Sequence, residues 1–168
     1  MPLTSTFNFS VSGVHSTALD LGTAALPFTL TSNFTMASGT AANQADRVWT
    51  DTRTLGISAT EDLDLAGSAL LDAFGVAAVF VKLKALIIKA AAANTNNVQL
   101  SRPAGAIGVP LFLAVSDGIV IPPGYTFAWF GPGTGITVTP ATGDVITITN
   151  GGAGTSVNYD IVIIGTSV

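Results

Sequence analysis

GIVIPPGYTFAWFGPGTGITVTPATGDVITITNGGAGTSVNYDIVIIG, residues 118–165, decides the fold. Five short apolar or alternating runs, rich in β-branched residues, fall at Gly118–Ile121, Tyr125–Phe130, Ile136–Thr139, Val145–Thr149 and Asn158–Ile164. Between them lie PPG (Pro122–Gly124), GPGTG (Gly131–Gly135), ATGD (Ala141–Asp144) and NGGAG (Asn150–Gly154), each a turn by composition. Short strands at such even spacing belong to an all-β sandwich or barrel.

Working outward, the same pattern continues. Val109–Val115 and Val98–Ser101 read as strands, with NTNN (Asn94–Asn97) as the turn before the latter. Ala78–Ala90 (AVFVKLKALIIKA) is the longest strand signal. Its Ala, Leu and Lys would also suit a helix, but dense β-branched and aromatic residues with turn-rich flanks favour a strand. AGSALLDAF (Ala66–Phe74), ended by Gly75, is the best candidate for a short helix or turn. Thr60–Leu65 and Val48–Arg53 alternate as half-buried strands do. Residues 37–45 (ASGTAANQA) form a polar loop. Earlier, Phe7, Phe9 and Val11 alternate with Asn8, Ser10 and Ser12, and a strand runs over Leu26–Phe34 with Pro27 near its start. Residues 1–45 are the more polar part and read as an N-terminal arm with the first strands, or a strand exchanged with a neighbour. Residues 46–168 form the β domain, and the two could also be one continuous domain.

Charge is scarce. Asp, Glu, Lys and Arg make up 10% of 168 residues, against about 25% in ordinary soluble domains. Hydrophobic residues reach 48% and mean hydropathy is +0.59. Yet the apolar stretches are Val76–Ile88, broken by Lys82 and Lys84, and Gly105–Val115, broken by Pro110. Both are shorter than the ~20 residues of a spanning helix. MPLTSTFNFS lacks the basic and apolar regions of a signal peptide. An outer-membrane barrel of this length would be small, and aromatic girdles are not evident. The surface that remains is one of Thr, Ser, Asn, Gly and Ala. It is poorly soluble as a free monomer and suited to being covered by copies of the chain or by a partner. A formal net charge of −4 attracts neither nucleic acid nor anionic membrane.

Catalytic equipment is not visible. Cysteine is absent, which removes thiolate nucleophiles and zinc-thiolate sites. The one histidine, His15, sits in a Ser/Thr-rich stretch read as a loop. A triad could be drawn with Asp20 and a serine, but no G-x-S-x-G elbow supports it. Glu61, Asp62 and Asp64 are the one dense carboxylate group. They could hold a surface metal, but read better as a charged strand edge that discourages wrong pairing. GPGTG has no following Lys and no helix, so it is not a phosphate loop. Lys82 and Lys84 with Arg47 and Arg53 are too few for a nucleic-acid track. Trp49, Tyr125 and Trp129, with Phe127, are candidate interaction residues, able to form a sugar-stacking platform. In an alternating strand, aromatics at Phe127 and Trp129 are more often core. No enzyme activity, cofactor or metal is expected.

The run RVWTDTRTLGISATEDLDL (Arg47–Leu65), AVFVKLKALIIK (Ala78–Lys89), NTNN and the strands ending NYDIVIIGTS resemble small virion structural proteins of tailed bacteriophages. The likeness spans about residues 45–168 and includes Ile121–Phe130, Gly135–Thr139, Asp144–Asn150 and Tyr159–Gly165. It implies a jelly-roll-like antiparallel β-sandwich on the capsid surface of the virion. The implied function is that of a decoration (cement) protein, a homotrimer that binds the major capsid protein and stabilises the shell. It equally implies a head fibre, a minor capsid component or a tail-associated subunit, including a receptor- or carbohydrate-binding domain of a head fibre, tail fibre or spike. Residues 1–45 do not obviously match and would be the capsid-anchoring or assembly arm.

Overall fold

The computed structural model describes residues 2–105 and 107–168. Met1, in the segment read for a signal peptide, and Ala106, in the apolar run over 105–115, lie outside them. Twelve strands follow one another among the described residues: β1 (Ser5–Leu19), β2 (Gly22–Ser38), β3 (Gln44–Ala45), β4 (Arg47–Leu55), β5 (Thr60–Asp64), β6 (Lys82–Ala90), β7 (Val98–Ser101), β8 (Gly118–Ile121), β9 (Thr126–Phe130), β10 (Ile136–Thr137), β11 (Val145–Asn150) and β12 (Val157–Thr166). None of those residues is helical.

From β4 onward the chain is an antiparallel β-sandwich. One sheet runs β4-β12-β6-β9, with β10 pairing the start of β6; the other runs β5-β11-β7-β8. Leaving β10 aside and numbering the strands one to eight in chain order, the two sheets read 1-8-3-6 and 2-7-4-5. Strand β12 lies between β4 and β6, and its sequence says so. Val157, Tyr159, Ile161 and Ile163 face the core, while Asn158 and Asp160 alternate outward. From Ile161 the alternation gives way to a continuous apolar run, IVII, because there both faces are covered. Ile163 packs between the sheets, and Ile164 belongs to a second, smaller core on the outer face.

That second core is where the N-terminus attaches. Strands β1 and β2 form one long hairpin, paired from Ser5–Met36 to Leu19–Gly22. Its base lays Phe7, Phe34 and the buried Met36 on Ala85, Phe130 and Ile164 of the first sheet. The structure lengthens the two strands read from sequence. β2 runs through Pro27, which a two-stranded ribbon tolerates because each strand has a free edge.

One local reading is decided and two are corrected. Ala66–Phe74, read as a short helix or turn, is turn, because carboxylates capture its backbone donors. Asp64 Oδ1 accepts from the N–H of Ala66 (3.0 Å) and Gly67 (2.8 Å), and Asp72 Oδ1 from Phe74 and Val76 (both 2.9 Å). Val109–Val115 is not a strand. Pro110 offers no N–H, and the segment is held instead by Asp117 Oδ2 accepting from Ala114 N (2.9 Å) and by Arg102 donating to the carbonyl of Phe112 (3.2 Å). His15 is not in a loop but on β1, in register with Leu26.

Candidate interaction surface

The hairpin sorts its residues by face. Directly paired residues share a side, so one face carries Phe7, Phe9, Val11, Gly13, His15, Thr17 and Leu19 with Phe34, Ser32, Leu30, Phe28, Leu26, Ala24 and Gly22 opposite them. The other face is Thr6, Asn8, Ser10, Ser12, Ser16 and their partners Thr35, Asn33, Thr31 and Thr29, broken by Val14–Pro27 and two alanines. Hydroxyls pair across the polar face at Thr6–Thr35 (3.3 Å) and Ser10–Thr31 (3.4 Å). On the apolar face, the Phe28 ring lies over Gly13, where a Cβ would sit 2.6 Å from it. Glycine here makes room for an aromatic ring along the strand.

The apolar face has two fates. At the base it is used: Phe7 stacks on Phe34 at 4.7 Å, and both meet Phe130 edge-on, at 4.7 and 5.7 Å. Beyond the sheet it is bare. Phe9, Val11, Leu19, Leu26, Phe28 and Leu30 are between 44% and 67% exposed. A groove opens where the ribbon leaves the body, lined by Phe7, Phe9 and Phe34 above and Thr126, Ala128 and Phe130 below.

The residues expected to form a platform are not together. Trp49 is buried at 3% exposure on the inner face of β4. Trp129, on β9, packs partly buried against the same core. Register places Ile163 and Leu86 between them in one row across the sheet. Tyr125 stands apart and exposed in the turn before β9, beside Ile119, Val120 and Pro122. The platform reading therefore loses both tryptophans to the core, the outcome the alternation at Trp129 favoured.

The acidic group is also dispersed. Glu61 points inward between the sheets, where it accepts from Arg53 Nε (3.1 Å) and Nη2 and from the Tyr159 hydroxyl, while Arg53 Nη1 donates to Asp51 (3.1 Å). Asp62 accepts from Thr147 Oγ1 at 2.6 Å, and Asp64 makes the turn described above. The reading of Glu61 as part of a solvated edge is thus overturned, because the carboxylate closes the sandwich at the β4–β5 edge. Among the described residues no three His, Asp or Glu side chains form a group that could hold a metal ion. Among the same residues no helix is long and apolar enough to cross a membrane.

Of the bare strip, sequence reasoning saw the alternation at 7–11 and a strand at 26–34. It missed the pairing that lines both up on one face. No protein-family model matches the chain, and no curated protein or solved structure matches it.

Proposed function

We propose that this chain is a structural subunit of a virion: a decoration protein, homotrimeric, that binds the outside of a bacteriophage capsid and stabilises the shell. The observation that carries the reading is the hairpin, a rigidly based ribbon whose apolar face is left bare by a body that has its own complete core. Exposed apolar strips of this size mark interaction surfaces. The strand orders 1-8-3-6 and 2-7-4-5 support a jelly-roll reading, an architecture shared by capsid and lectin domains. The scarcity of charge favours a surface that spends its life covered. A subunit that binds the assembled shell and not its dissociated parts stabilises it by mass action. The test is to add the purified chain to undecorated shells and follow their thermal disruption. Binding at defined shell positions with a raised disruption temperature is expected; no binding overturns the reading. Lectin-like glycan binding retains one supporting feature, the exposed Tyr125, and a glycan array with the Tyr125→Ala variant as control tests it.

A further inference from the structure

We infer that the bare apolar face of the β1–β2 ribbon is where copies of this chain meet, ribbon packing on ribbon, with the Ser/Thr face left in water. The inference rests on the assembly reading above and names the partner of that strip.

Three observations select a second copy. The first is chemistry. Between Ser5 and Ser38 the one formally charged residue is Asp20, at the hairpin tip. A strip without charge has no means of orienting a charged partner, and the surface that matches it in length and apolarity is the same strip on another copy. The second is continuity. The face already used against Phe130 at the base runs unbroken into the bare segment, so a neighbour extends a packing mode the fold itself employs. From Phe9–Ser32 to Leu19–Gly22 the paired segment is about 35 Å long at ~3.3 Å per residue. The third is area. Six large apolar side chains about half exposed offer roughly 600 Å², since each such side chain carries on the order of 150–250 Å². That is at the upper end for a monomer. With its rim of Thr17, His15 and Ser32 it approaches the ~800 Å² per partner of a stable interface. Pro27 has no N–H to offer along the β2 edge, which favours contact by face over strand addition at that edge.

The chain lacks cysteine, so single thiols report cleanly. Leu30→Cys lies on the apolar face and Thr31→Cys on the polar face. In the purified full chain without capsids, sedimentation should show a discrete oligomer. Thiol labelling should be about tenfold or more slower at Leu30→Cys than at Thr31→Cys, the difference vanishing on dilution. Leu26→Glu with Leu30→Glu should weaken association ~100-fold or more, with the fluorescence of Trp49 and Trp129 unchanged to show that the sandwich remains folded. Equal labelling, or a parent chain that stays monomeric at every concentration, overturns the inference. If that monomer still binds shells, and loses the binding in the double variant, the strip belongs to the shell and the assembly reading stands. If it binds neither, both fall.

Discussion

Glu61 stands where two sheets must be held together at an open edge. Its carboxylate accepts hydrogen bonds from Arg53 and Tyr159, and these interactions set the local proton affinities. Glu61, and after it Asp51, holds the Arg53 guanidinium proton more tightly. Burial, reinforced by Glu61, pushes the Tyr159 phenol well above its ordinary value. A phenol whose pKa rises on folding keeps its proton after the unfolded chain has lost its own. Stability from this group is therefore complete below about pH 10, the ordinary tyrosine value, and declines as pH rises above it. Tyr159→Phe should cost about 1 kcal/mol near neutrality, and its deficit against the parent should shrink by ~pH 11, measured by urea unfolding at both pH values. Lys84 is a charged group buried deeper still. At 1% exposure its ammonium donates to the carbonyls of Gly133, Ala41 (3.3 Å) and Pro132 (3.4 Å). No carboxylate faces it there, and burial, aided by Lys82, lowers its pKa. The unfolded chain binds that proton more tightly, so this group favours the fold increasingly as pH rises towards the ordinary lysine value. Lys84→Met takes a donor from three carbonyls, of which Ala41 and Pro132 keep the N–H groups of Gln44 and Asn43. It should cost about 1–3 kcal/mol, read as a lower denaturant midpoint, with loss of hydrogen-exchange protection at Asn43, whose N–H is bonded to Pro132 (2.8 Å).

At the scale of elements, the hairpin is held at its base by the Phe7, Phe34 and Phe130 rings and by the buried Met36. A two-stranded ribbon alone is marginal in water, so the Phe7–Phe34–Phe130 contact should decide whether it keeps its place. Phe130→Ala should lower stability by about 2–3 kcal/mol, less than the ~3–5 of a fully buried phenylalanine, because Phe130 is half-buried. Amide exchange should quicken across β1 and β2 while β11 and β12 stay protected; uniform exchange across both regions would show that the ribbon is not a separate unit. The legibility of the sequence follows the same division. Strands β8, β9, β11 and β12 could be read from Gly118–Gly165 because each has one wet face or a glycine-bounded run. Their spacing gave the all-β class, a sandwich or a barrel, and the pairing of the strands decides for the sandwich. Ala66–Phe74 was left between helix and turn, and Val109–Val115 was misread, because local chemistry outweighs pattern: Asp64, Asp72 and Asp117 bind backbone donors, and Pro110 removes one. Nor does alternation show where a strand kinks. At Gly165 the register with β6 shifts so that Ile164 opposes Ala85 and Gly165 opposes Leu83. A Cβ at Gly165 would lie 2.0 Å from the Lys82 carbonyl oxygen, which explains glycine inside an otherwise apolar strand. Lys84 is the residue skipped by that shift, and its burial follows from pairing across 80 residues of chain, which no local pattern contains. The strip on the hairpin was half legible for the same reason. Each strand alternates visibly, but the register that puts Phe9, Val11, Leu26, Phe28 and Leu30 on one side is a property of the pair.

If copies pack through the ribbon as proposed, assembly and stability of the whole molecule are one equilibrium. With 10 acidic and 6 basic residues, little long-range repulsion opposes close approach of copies, and little attraction steers it. Association through the ribbon should therefore persist from low salt to about 1 M, since burial of apolar surface is not screened as ion pairs are. The stability of a chain that assembles in this way should depend on its own concentration, because copies would bind the folded state and not the unfolded one. For a trimer that unfolds to separate chains, a tenfold rise in concentration adds two-thirds of ~1.4 kcal/mol per chain, about 0.9 kcal/mol. In a chain of this size that is a rise of roughly 2–4 °C in the unfolding midpoint. Scanning calorimetry over a hundredfold range should show the midpoint climbing by about twice that interval. The Leu26→Glu, Leu30→Glu variant should show no climb and should match the parent extrapolated to high dilution, because the sandwich core is untouched by either substitution. A parent midpoint independent of concentration, in a reversible transition, would mean that the folded chain stands alone and that the apolar face is covered by something other than its own kind.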